Sequence, residues 1–142
     1  MIMKYRTRDF GEIEINDSDI LTFTQPLFGF EDYRRFALIY NHEIGESLAW
    51  LQSLDDPELC FILFDPTPLS SFFRPELPKS VENILGKGDY ICWVLCAIPD
   101  DIRKATVNLK SPIFINPITK KVAQIMLDQN YPIRFPLIKE DA

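Results

Sequence analysis

The chain has 142 residues, 46% of them apolar and 25% charged, with a formal net charge of −6; this is too apolar for a disordered chain and enough for one folded domain over residues 1–142. No run approaches the ~18 apolar residues of a membrane span and the first residues lack the apolar core of a secretion signal, so a cytoplasmic protein with no membrane partner is expected. A net acidic chain is also poorly suited to nucleic-acid phosphates, whose attraction rests on Lys and Arg displacing counterions.

In chain order, residues 5–10 read as a strand ending at Gly11, after which Glu12, Ile13, Glu14 and Ile15 alternate polar with apolar as a strand with one wet face does. A turn at 16–19 leads to a strand at 20–23, broken by Pro26 and Gly29. Phe28 and Phe30 flank that glycine and are read as aromatic plugs that anchor the loop to the core. Residues 31–35 suit one helical turn and 36–40 an apolar strand, followed by a polar loop at 41–47 that carries the only histidine, His42.

Residues 50–66, W-L-Q-S-L-D-D-P-E-L-C-F-I-L-F-D-P, organise the chain as two apolar strands joined by an acidic turn. Asp55 and Asp56 supply side chains that bond nearby backbone, and Pro57 fixes its own φ. Residues 67–78 are an irregular crossing interrupted by three prolines. Leu77, Val81, Ile84 and Leu85 then fall at helical spacing, with Ser80 as a possible cap and Gly86 as a stop. The apolar run 90–98 suits a strand buried on both faces or one passing through the middle of a closed sheet, although periodicity alone leaves a helix open; 105–109, 112–115 and 122–127 read as further strands, and the proline-bearing tail 131–139 suits a sheet edge or a terminal extension. Many short strands, one modest helix and frequent Pro or Gly point to an all-β fold, an antiparallel barrel or sandwich, with closure into a small antiparallel β-barrel the economical way to remove exposed edges.

Chemistry is scarce in this pattern. There is no dinucleotide or phosphate-binding glycine loop, no H-E-x-x-H and no G-x-S-x-G. Cys60, Cys92 and Cys96 sit in apolar runs that disfavour the thiolate a Cys/His enzyme would need with His42. Cys92 and Cys96, four apart in a strand, are separated by ~13 Å, too far for a disulfide. The acid pairs Asp55/Asp56 and Asp100/Asp101 are read as turn formers, and Asp55, Asp56 and Glu58 lack the spacing of a calcium loop. No catalytic residue, cofactor or metal is assigned.

Charge is the stronger signal. Residues 9–73 hold thirteen acids against Arg34 and Arg35, a net −11, and the remainder carries +5. An acidic segment of this kind suits a basic protein partner, with a solvated acidic face as the alternative. The acids clustered on the loops around the central hairpin, Asp55, Asp56 and Glu58 first and Glu43 and Glu46 next, are the candidate partner-binding residues.

Three motifs in order carry a resemblance. They are Phe28-Gly29-Phe30-Glu31 followed by Phe36-Ala37-Leu38; Leu51-Gln52-Ser53 leading to Asp56-Pro57 and residues 61–66; and Thr106-x-Asn108-Leu109-x-x-Pro112-Ile113-x-x-Asn116. Together they resemble the flagellar assembly factor FliW family over nearly the whole chain. The resemblance implies a non-catalytic β-barrel that binds CsrA, a basic RNA-binding regulator, and so relieves repression of flagellin translation. It also implies binding of flagellin as the competing partner. Cys92, Cys96 and the Phe72-Phe73 pair do not map onto those motifs. Other readings are a flagellin chaperone without CsrA antagonism, an OB-like single-strand nucleic-acid binder using Tyr90 and Trp93, and a Cys/His enzyme.

Overall fold

The computed structural model describes residues 1–41 and 47–138. In chain order its elements are strands β1 (Ile2–Arg6), β2 (Glu12–Asn16), β3 (Leu21–Gln25), β4 (Arg35–Ile39), β5 (Leu48–Ser53) and β6 (Cys60–Phe64), helix α1 (Val81–Leu85), and strands β7 (Ile91–Ala97), β8 (Thr106–Val107), β9 (Ile113–Ile115), β10 (Lys121–Gln124) and β11 (Phe135–Pro136). Strands β7, β6, β5, β4, β3, β10 and β9 pair in that order, and β9 returns to β7, which closes a seven-stranded barrel. β8 and β11 extend the sheet from β7, and β1 with β2 forms a separate hairpin.

The expected antiparallel barrel is therefore correct except at one seam. β3 and β10 run parallel, with Lys121 opposite Thr22 and a bulge after Val122. Geometry demands such a seam: strands that alternate in direction around a ring of seven cannot all meet antiparallel neighbours, so at least one pair must be parallel. At the bulge the Thr24 hydroxyl faces the Ile84 carbonyl at 2.8 Å, which ties the seam to α1.

Alternation along the strands sends Phe23, Phe36, Ala49, Leu51, Leu63, Ile113 and Val122 into the barrel, all shielded from solvent. Phe23 and Phe36 meet edge to face at 5.1 Å. Two smaller cores lie outside the wall. Phe73, Val94, Val107, Leu109 and Leu127 pack between β7, the 67–78 crossing and the tail, with Cys92 and Cys96 against them. Val81 and Leu85 of α1 cover Phe114 and Ala123.

Several local expectations shift. The first strand lies at Ile2–Arg6, and residues 7–11 form the turn, in which Thr7 bonds the Gly11 carbonyl through both its amide and its hydroxyl. Gly11 is the residue that supplies the φ of +67° this turn needs. Residues 31–35 make turns and enter β4 without a helical turn. Phe30 packs on the barrel core as expected, whereas Phe28 is 47% exposed and Leu27 takes the buried place. Leu77 precedes the helix, and Ser80 makes no side-chain cap, but Gly86 ends α1 with φ +81° and its amide on the Glu82 carbonyl. β7 runs within the closed sheet, as one reading of 90–98 expected, but burial on both faces belongs to β5; both ends of β7, Ile91 and Ala97, are exposed. β11, with Pro136, is an edge strand as its prolines suggested.

Candidate partner-binding site

The reason β5 is buried on both faces is the N-terminal turn. Ala49 and Leu51 point into the barrel, while Trp50 and Gln52 point outward under residues 7–11. The Phe10 ring meets Trp50 edge to face at 5.2 Å. The Arg8 amide donates to Gln52 Oε1 at 3.0 Å, and the Arg8 guanidinium donates to the Cys60 carbonyl at 2.9 Å. Gln52 Nε2 in turn faces the carbonyls of Ser53, Pro57 and Leu59 at 3.0–3.2 Å. One fully buried amide thus holds the N-terminal turn and the acidic β5–β6 turn together.

Within the acidic turn, Ser53 Oγ accepts the amides of Asp55 and Asp56, and Asp56 Oδ1 accepts the Glu58 amide at 3.0 Å. Asp55 takes two hydrogen bonds from Arg35 on β4, the shorter at 2.7 Å. That bond is the main reason the Arg35 pKa is raised. Asp9 is paired in the same way with Arg8 at 2.9 Å. The structure therefore brings Asp55, Asp56 and Glu58 together, but with unequal freedom: Asp55 is matched by Arg35, Asp56 organises the turn, and Glu58 is exposed, without a side-chain hydrogen bond or ion pair among the described residues but within the electrostatic reach of Arg8. Arg8, just outside the −11 segment in sequence, folds onto it. Glu43, Glu46 and His42 lie outside the described residues.

Charges on the N-terminal hairpin are also matched locally, since Lys4 stands opposite Glu14 and Arg6 opposite Glu12. Its other face turns Ile13 and Ile15 toward the barrel wall. Between them and the wall runs a groove of about 510 Å³ over Leu21, Ala37, Ile39 and Ile115, edged by Glu14, Asp19 and Lys120. Tyr40 and Ile91, each about half exposed, border it. Sequence reasoning missed this groove; the alternation of Ile13 and Ile15 with glutamates was its one signal, and it could not say which wall the isoleucines face.

Nucleophilic chemistry finds little support. Burial pushes the Cys60 thiol up to about 11 and the Cys92 thiol up to about 12, and raises that of Cys96. All three cysteines are free. Among the described residues no three His, Cys, Asp or Glu side chains are grouped to hold a metal ion, and no helix is long and apolar enough to cross a membrane.

A closed β-barrel with a docked N-terminal hairpin, an acidic turn and an open apolar groove defines a protein built around surfaces. Comparison with known proteins makes this specific. The FliW protein family model matches residues 4–137, and the chain belongs to the FliW family. It is similar to the flagellar assembly factors FliW of Caldanaerobacter subterraneus, at 33% identity covering 97% of this chain and 95% of that one, and of Lachnospira eligens, at 36% covering 95% and 94%. A crystal structure of the flagellar assembly factor FliW superposes with a TM-score of 0.89 at 28% identity, covering 99% of this chain and all of that one.

Proposed function

We propose that this chain is a non-catalytic cytoplasmic flagellar assembly factor that binds CsrA, relieves its repression of flagellin synthesis, and binds flagellin as the competing partner. Membership of the FliW family across residues 4–137 carries this reading. The charge of the chain supports it, because an acidic surface accelerates encounter with a basic regulator and does so less in salt. Steering alone does not hold a complex; a tight one needs an apolar anchor inside the charged rim. The charged part of the contact is accordingly placed on the acidic turn, at Asp56 and Glu58 with Asp55 beside them; the apolar groove bordered by Tyr40 and Ile91 lies toward the opposite end of β4. Exchange with flagellin requires only that the two partners cannot be held together, through overlap or through negative coupling.

The direct test is a gel shift of flagellin leader RNA bound to CsrA, with this protein added. Release of RNA is the expected result. Retention of RNA by CsrA, with flagellin still bound in a separate pull-down, would make the chain a flagellin chaperone without CsrA antagonism. A shift of RNA by this protein alone would favour the nucleic-acid reading.

A further inference from the structure

The positive half of the chain has a surface of its own. Where the sheet leaves the barrel, β7, β8 and the residues before β11 border two adjoining hollows of about 410 and 240 Å³, which share Ala97, Thr106 and Arg134. Their apolar lining includes Leu95, Ile98 and Ile133, and the last two are 41% and 63% exposed. Ile102, 62% exposed, stands on the turn that carries Lys104. Among the described residues no Asp or Glu lines either hollow.

Two cations border this groove, Lys104 and Arg134. Neither has a side-chain hydrogen bond or ion pair among the described residues, unlike Arg103 next door, whose guanidinium is held by Asp101 at 3.0 Å. Exposed isoleucines are costly to leave bare in water, and beside cations with no partner among the described residues they are complementary to a chain that brings apolar side chains and carboxylates together. The geometry points to a second docking surface here, for a segment of another protein in which acidic residues alternate with or neighbour Leu, Ile, Phe or Met. Its charge preference is opposite to that of the acidic turn, so the inference stands whether or not a basic regulator binds there. In such a complex the isoleucines and Leu95 supply the buried contact, and Lys104 and Arg134 set orientation and reject basic segments.

Selection of random displayed peptides on the immobilised full chain tests this without assuming the segment. Enriched peptides are expected to combine acidic and large apolar residues, to bind more weakly in salt, and to lose at least about tenfold in affinity against the Lys104→Glu/Arg134→Glu double variant, while Lys87→Glu, on the exposed loop after α1, changes little. Enriched peptides that are basic or uncharged, or that bind the double variant equally well, would overturn it. So would failure to enrich any peptide, or a concentration-dependent dimer in sedimentation that the double variant abolishes, which would make a second copy of this chain the occupant. Both substituted residues are exposed, and unchanged circular dichroism and thermal unfolding verify that the variant is folded; an Ile133→Ser variant probes the apolar half of the same site.

Discussion

Replacing Gln52 with leucine isolates the contribution of the buried amide that joins the N-terminal turn to the acidic turn. Leucine keeps nearly the same volume, so no cavity opens; what disappears is the acceptor for the Arg8 amide and the donor for the Ser53 and Pro57 carbonyls. The Leu59 carbonyl keeps a partner, the Ser53 amide at 2.9 Å. Three orphaned groups at ~1–3 kcal/mol each, with some water able to reach them, give an expected loss of about 4 kcal/mol. Urea unfolding measures that loss, and amide exchange reports the mechanism. The Arg8 amide should lose its protection in Gln52→Leu, with the Glu58 amide following as the acidic turn loosens. A loss below about 1 kcal/mol with Arg8 still protected would refute the claim that Gln52 is the joint.

Other expectations follow from single contacts. Charge reversal at Glu58, whose side chain makes no hydrogen bond among the described residues, should slow association with CsrA in stopped-flow mixing while leaving thermal unfolding nearly unchanged; an unaltered rate removes the acidic turn from the contact. Asp55→Ala should cost under about 1 kcal/mol in stability, as exposed pairs do, and more than that would mean the Arg35 pair is structurally central. Lys120 holds φ at +62° in the β9–β10 turn, so Lys120→Gly should raise stability by about 0.5–1 kcal/mol, and a fall would show that its side chain contributes packing. The thiols of Cys60 and Cys92 are displaced upward from an ordinary 9.0 to about 11 and about 12. Above pH ~9 the unfolded chain therefore loses protons that the native chain keeps, so stability must fall as pH rises, and below that it is indifferent to these groups. Comparing urea midpoints at pH ~8 and ~10 with those of a Cys60→Ala/Cys92→Ala variant checks this; identical pH dependence in both would contradict it.

What could be read from the sequence is what is local. The 50–66 hairpin and its turn were legible because Asp-Asp-Pro between two apolar runs has a mechanism within a few residues. Gly86 was legible as a stop for the same reason. Ser80 looked like a cap, yet its backbone is already helical and its hydroxyl bonds nothing, because the turn before it satisfies those amides through the Pro78 and Lys79 carbonyls. The parallel β3–β10 seam had no local signal: its strands lie far apart in sequence, and only an odd strand count in the closed ring forces it. Burial on both faces of β5 was hidden likewise, since Gln52 reads as polar and outward until the N-terminal turn is seen to cover it. For the candidate site, the clustering of Asp55, Asp56 and Glu58 was visible, but their pairing was not. Arg35 neutralises Asp55 from a neighbouring strand and Arg8 arrives from outside the acidic segment, so the charge presented to a partner is smaller than the sequence count suggests.

The central claim is partner exchange, and calorimetric titration of this protein into CsrA at low and high salt, repeated with flagellin present, tests it most directly. The account predicts a saturable complex, weakened by salt and abolished by flagellin. Binding to CsrA that flagellin leaves untouched, or no complex by calorimetry and gel filtration alike, would contradict it.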